Sequence, residues 1–211
     1  MKDRLGLALF LLSAIVLLPN AECQDRRGQL QIVVWVFNRA DVEDAAILAA
    51  EKTVDNIYRE SGLGIVWRNR RPKAEKELQF EIRMDRIELV LNIEHQTRMF
   101  TVDTYGVAFP SDDNWGTVCD VFYDRVLESY RGGRASLERI LGIVMAHELG
   151  HLLLGSNAHS TSGLMRSRWH YQDFLPANFA PTLSRQEMQK ICTRLAGTRG
   201  IAGSLERRAS P

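Results

Sequence analysis

Short apolar runs and alternating apolar and polar residues along the chain predict a set of β-strands. Residues 30–37 form a continuous β-branched and aromatic run, which is typical of a buried strand. Residues 78–84 alternate strictly between apolar and other side chains, which predicts a strand with one buried face. The same criteria predict four further strands, at residues 65–67, 87–93, 105–109 and 116–126.

Apolar residues spaced three and four positions apart predict three helices. The first covers residues 42–61, and Asp41 is placed to cap its beginning. The second covers residues 136–154, and the third covers residues 184–196 and opens with a Ser-x-x-Glu capping box. This order of strands and helices predicts one domain with a mixed α/β (α+β) layout and mostly local pairings.

The N-terminus has the layout of a secretory signal peptide. Two basic residues precede an apolar run over residues 5–19, and a short stretch of small and polar residues follows it. The run is short for a membrane span, and a first core helix, the other interpretation, would rarely lack polar interruptions. We therefore expect residues 1–23 to be a signal peptide, residues 24–196 to form the domain, and residues 197–211 to be a flexible tail.

Composition and charge narrow the class of protein only slightly. The chain has 211 residues, 45% of them hydrophobic, which suits one domain with a core. Its net charge of +1 argues against a nucleic-acid partner.

The chain has three cysteines, and cleavage after Cys23 would leave Cys119 and Cys192. These two either pair in an oxidising compartment or lie apart as buried residues, and the sequence leaves both possibilities open.

The helix predicted over residues 136–154 contains the sequence His-Glu-Leu-Gly-His. His147 and His151 lie four residues apart, so their imidazoles share one helix face and could bind a single zinc ion. Glu148 follows His147 and lies close enough to act as a base toward a water on that metal. By chance alone such a motif occurs in roughly one sequence of this kind per hundred, so it is suggestive rather than decisive.

The residues after this motif resemble those of the metzincin metallopeptidases. In that family a glycine ends the zinc helix, a third histidine completes the site, and a methionine in a tight turn lies beneath it. This chain has Gly155, His159 and Met165 in that order. The spacing differs, because the family's usual pattern is HExxHxxGxxH, whereas three residues stand on each side of Gly155 here. Asn157 occupies the place of the usual third histidine.

The resemblance implies a metzincin-like fold: a mixed twisted sheet with a backing helix, an active-site zinc helix, and a C-terminal helix after the methionine turn. It further implies that residues 24–196 are the catalytic domain of an exported zinc-dependent endopeptidase, either secreted or periplasmic. His147, His151 and His159 would bind one catalytic Zn²⁺, and Glu148 would activate the zinc-bound water. Its partners would be peptide or protein substrates; we expect a monomer without stable membrane insertion.

Several alternatives remain open at the level of sequence. Glu187 could be an acidic third ligand in a zinc peptidase of another class, although it also belongs to the predicted capping box. The chain could instead be a non-catalytic, zinc-stabilised secreted binding protein. His95 and His170 are expected to be surface or structural residues, and Tyr171 either polarises a substrate carbonyl or is an ordinary core or rim tyrosine.

Overall fold

The computed structural model describes nine stretches of the chain: residues 24–25, 28–60, 62–70, 87–95, 104–109, 116–131, 133, 135–175 and 181–209. Its helices are α1 (Asp44–Arg59), α2 (Tyr123–Arg131), α3 (Leu137–Leu154) and α4 (Arg185–Ala209). Its strands are β1 (Gln24–Asp25), β2 (Gly28–Gln29), β3 (Gln31–Asn38), β4 (Gly64–Arg70), β5 (Ile87–Glu94), β6 (Gly106–Phe109) and β7 (Val118–Phe122).

The sheet is mixed, as the sequence predicts, and its order is β4-β3-β5-β7-β6. β3 pairs in parallel with β4 and β5, and β5 pairs in parallel with β7. The edge strand β6 alone runs antiparallel, against β7. β1 and β2 form a separate antiparallel pair near the start of the described chain.

One face of the sheet forms the hydrophobic core with α1 and α3. Cross-strand register places the most deeply buried strand residues on this face, namely Ile32, Val34, Val36, Leu89, Leu91, Ile93, Ala108, Cys119 and Val121. α1 and α3 pack against each other, and the Tyr58 hydroxyl of α1 donates a hydrogen bond of 2.8 Å to the Ala146 carbonyl of α3. This contact fixes α3 against the backing helix one residue before His147.

α3 is buried on all sides from Ile140 to Leu154, so packing determines its position along its length. Its N-terminus is capped by Ser136, whose hydroxyl accepts a hydrogen bond from the Arg139 amide. Its end is fixed by Gly155, whose left-handed backbone (φ 61°) favours glycine. The Arg194 guanidinium of α4 donates to the Leu153 carbonyl at 3.1 Å, which ties α4 to this end of α3.

The structure corrects three local predictions. The segment predicted as one strand over residues 116–126 is β7 followed by α2, because the chain leaves the sheet after Phe122 and buries Val126 from a helix. Asp41 does not cap α1; it has a positive φ of 50°, and Glu43 precedes the helix without a side-chain cap. α4 continues to Ala209 instead of ending near residue 196. The predicted signal peptide and the strand over residues 78–84 lie outside the described residues.

The two cysteines considered together in the sequence do not pair. Cys119 is a free, fully buried thiol on the core face of β7, and Cys192 forms a disulfide bond with a different partner. Burial, the largest cause, together with the nearby carboxylates of Glu148 and Asp120, raises the pKa of Cys119 well above its ordinary value. Cys119 is therefore a small, inert core residue.

Candidate metal centre

α3 presents the two histidines of the motif side by side. The Nε2 atoms of His147 and His151 are 3.1 Å apart. The Nδ1 atom of His147 lies 2.7 Å from the Leu164 carbonyl, and that of His151 lies 2.9 Å from the Ser156 carbonyl. A carbonyl oxygen can only accept, so each Nδ1 carries the proton and each neutral ring has its lone pair on Nε2. The two lone pairs therefore face the same point.

His159 joins this pair from the loop that follows α3. Its ring centroid is 5.4 Å from that of His147 and 4.8 Å from that of His151. One ligand atom from each of the three residues can be chosen so that all lie within 4.8 Å of one another. Among the described residues, these three histidines are the group of histidine, cysteine or acidic side chains whose ligand atoms lie close enough together to hold one metal ion. His159, the third ligand predicted from sequence, thus lies close to the two helix histidines.

This donor set suits zinc. Bonds of about 2.0–2.1 Å in a tetrahedral site place two ligand nitrogens roughly 3.3 Å apart, close to the separation of the two Nε2 atoms. Two unprotonated nitrogens cannot hydrogen-bond to each other, and a shared cation removes their repulsion. Burial, the largest cause, lowers the pKa of His147 to about 3, and it also lowers the pKa values of His151 and His159. All three are therefore neutral near pH 7, as metal ligands must be.

Glu148 lies beside the histidines in a closely packed pocket. Only 4% of its surface is exposed, and burial, reinforced by the Asp120 carboxylate, raises its pKa to about 8. Its side chain lies against the backbone of Gly106 on β6. A Cβ atom at residue 106 would come within 2.7 Å of the Glu148 Cγ and 2.6 Å of the Asp120 carbonyl, so a glycine is needed for this approach.

Met165 lies beneath the site, in agreement with the prediction from sequence. It is fully buried, and a Cβ atom at Gly150 would come within 2.5 Å of the Met165 sulfur. The glycine between Glu148 and His151 therefore lets the thioether lie directly against α3. The Leu164 carbonyl that fixes His147 comes from the same turn.

An aromatic group borders the histidines, and sequence reasoning missed it. Trp169 meets the His147 ring edge to face at 5.8 Å and stacks on Phe174 at 5.5 Å. Phe174 in turn contacts Tyr105. These residues come from the loop after Met165 and from the chain just before β6, and no periodic pattern in the sequence joins them. The carbonyl partners of His147 and His151 were also missed, since backbone acceptors leave no side-chain signature.

The other candidate residues lie elsewhere. His95 is exposed and interacts with Asp124, and His170 precedes the short 3₁₀ helix Tyr171–Phe174. The Tyr171 ring lies against Gly133, where a Cβ would come within 1.6 Å of it. Glu187 uses both carboxylate oxygens for hydrogen bonds, one from the Ser160 hydroxyl and one from the Ser184 amide, so it is not part of the histidine group.

Comparison with known proteins places the fold. The structure is similar to the crystal structure of metalloproteinase-II from Bacteroides fragilis, with a TM-score of 0.53 and 11% identity over 83% of this chain. It is similar to the same degree (TM-score 0.53) to archaemetzincin from Methanopyrus kandleri, with 15% identity over 79% of this chain and 96% of the archaemetzincin. The described architecture is therefore the fold that these two proteins share.

These similarities are structural. No family model and no curated protein matches the sequence. The match covers 55% of the Bacteroides fragilis protein, so the chain spans about half of that protein's length. Within the described part of the chain, no helix has the length and apolar character required to span a membrane.

Proposed function

We propose that this protein is a zinc-dependent endopeptidase of the metzincin type, exported through an N-terminal signal peptide. The observation that carries the proposal is the convergence of three neutral histidines beside a buried glutamate in a zinc-peptidase fold. His147, His151 and His159 would bind one zinc ion and leave a fourth position for water or substrate. A purely structural site would need four protein ligands and no base, which disfavours the zinc-stabilised binding protein.

A bound zinc ion would supply a Lewis acid that lowers the pKa of a water molecule and polarises the substrate carbonyl. Glu148 is the general base that takes the proton from the attacking water and then returns it to the leaving amine. For this role Glu148 must be ionised near neutral pH. A divalent cation bound by the adjacent histidines favours its charged form and opposes the effect of burial on its pKa.

The hydrogen bonds to the histidine Nδ1 atoms hold the ligands ready for this chemistry. The Leu164 and Ser156 carbonyls fix the tautomer and the ring orientation of His147 and His151.

The substrate would be an extended peptide. The edge strand β6 runs beside Glu148 and offers a backbone to which such a peptide can add.

Hydrolysis of an unbiased peptide library tests this function. The purified protein should cleave internal peptide bonds, lose this activity on treatment with a chelator, and regain it when about one equivalent of zinc is added. Cleavage that persists after the metal has been removed would contradict the proposal, and so would a zinc-loaded protein that cleaves nothing in the library.

A further inference from the structure

The loop after α3 carries His159 and Met165, and it is held together at its base. The Ser160 amide donates to the Met165 carbonyl at 2.7 Å, which closes the loop on itself. The Leu164 amide donates to the Thr182 carbonyl at 2.8 Å. The loop is therefore anchored to the chain that leads into α4.

A second link joins the same loop to α4 through a side chain. The Ser160 hydroxyl donates a hydrogen bond of 2.5 Å to Oε1 of Glu187. Oε2 of the same carboxylate accepts a bond of 2.7 Å from the Ser184 amide, and the Glu187 amide donates to the Ser184 hydroxyl. Glu187 thus completes the capping box of α4 and, with its other oxygen, holds the residue directly after His159.

His159 needs such a link more than the other two histidines do. His147 and His151 are buried on a helix that is packed on all sides, whereas His159 is exposed and lies in a segment without regular structure. A ligand on a free loop loses conformational entropy when it binds a metal. In a loop that is already ordered, this entropy was lost on folding and does not weaken metal binding. α4 is a suitable anchor, because Arg194 also fixes it to the end of α3.

We propose that Glu187 is a positioning residue for the third zinc ligand, acting through its hydrogen bond with Ser160 on the loop that carries His159. The inference rests on the proposed function, since it takes the three histidines as the zinc site. Glu187 does not bind the metal: it holds the backbone beside His159, so that the imidazole stays in reach of the other two. It acts like the outer hydrogen-bond partners of metal ligands, whose loss costs about tenfold to a hundredfold in metal affinity.

The affinity for zinc, measured by competition with a chromogenic chelator on the full chain, tests this proposal. Ser160→Ala and Glu187→Ala should each weaken zinc binding by about tenfold to a hundredfold. Ser160→Thr keeps the hydroxyl and should restore most of the affinity. Ser184→Ala is the matched control, because it removes the other hydroxyl of the capping box and leaves the Ser160 link intact.

A double-mutant cycle with His159→Ala separates positioning from direct binding. In that background Glu187→Ala should cause no further loss, because the ligand that it positions is already gone. A further loss would mean that Glu187 acts independently of His159, and it would overturn the proposal. Unchanged affinity in Ser160→Ala, or equal weakening by Ser184→Ala, would also overturn it. Tight zinc binding in His159→Ala alone would instead refute the ligand set of the proposed function.

Discussion

Among the residues that the structure describes, two glutamates are buried, and their surroundings differ in an instructive way. Glu51 on α1 and Glu148 on α3 are 5% and 4% exposed, and burial is the largest cause that raises the pKa of each, to about 7 and about 8. Glu51 is hydrogen-bonded to the Asn69 amide and has no histidine beside it. Glu148 directly follows His147 on α3, and the Nε2 atoms of His147 and His151 lie 3.1 Å apart on that helix.

This comparison shows that a buried carboxyl with a raised pKa does not by itself mark a catalytic group. A cavity does not by itself mark a catalytic group either. A cavity of about 260 Å³ lies beside α1, and the residues that line it include Asn69, whose side chain is hydrogen-bonded to Glu51. The feature that distinguishes Glu148 is the group of three histidines on and after the same helix, which could hold a metal ion. Exchanging each glutamate for glutamine, which keeps the shape and removes the charge, therefore separates the two roles.

The largest effect is expected for Glu148→Gln. Hydrolysis should fall by about a hundredfold or more, because the general base is lost, while the histidines still bind zinc. Rates on a cleaved peptide and the zinc content of the same sample measure both quantities. Glu51→Gln is the control and should keep the wild-type rate. Retained activity in Glu148→Gln would remove this residue from the mechanism, and loss of zinc would mean that it is a ligand.

A smaller effect, on stability alone, is expected for Glu51→Gln. The pKa of Glu51 is about 7 in the folded protein and 4.5 ordinarily, so the folded state holds more protons than the unfolded state between these values. This group therefore stabilises the wild type most below pH 4.5, and its contribution is lost as the pH rises to about 7. The free energy of unfolding of Glu51→Gln should therefore rise relative to that of the wild type as the pH increases from 4.5 to 8. Chemical denaturation at several pH values measures this difference. If the free energies of unfolding of the two proteins changed with pH in parallel, the prediction would be refuted.

The smallest effect is expected for Met165→Leu. The exchange roughly conserves volume beside Gly150, so we expect a loss of less than about 1.5 kcal/mol in the free energy of unfolding. Most of the activity should remain, since Met165 is fully buried. Urea denaturation of both proteins gives the difference. A variant as stable as the wild type would show that the sulfur does not support α3.

The sequence predicted those features that depend on regular spacing. Helical periodicity placed His147, Glu148 and His151 on one buried helix, and residue chemistry selected His159 over Asn157. Runs of β-branched and aromatic residues predicted strands at the positions of β3 to β7. They did not predict where β7 ends, because Tyr123 and Val126 suit strands as well as helices.

Features that depend on distant contacts could not be predicted. Cys119 on β7 is a free thiol whereas Cys192 on α4 is disulfide-bonded, and nothing in the spacing of the two residues along the chain indicates this. The sequence indicated Glu187 as a capping-box residue and as a possible acidic ligand, but not its hydrogen bond with Ser160, because that contact spans 27 residues. Glu51 has the sequence environment of an ordinary polar residue on an amphipathic helix, and only the fold buries it.

The most direct test of the central claim is a zinc titration of the metal-free protein and two variants. The wild type should bind one zinc ion tightly, and His159→Ala should lose affinity by orders of magnitude together with all activity. Asn157→Ala should bind like the wild type, because the three histidines already supply the protein ligands of a catalytic zinc and an amide is a weak zinc ligand. Tight binding that survives in His159→Ala and disappears in Asn157→Ala would contradict the account, as would tight binding in both variants.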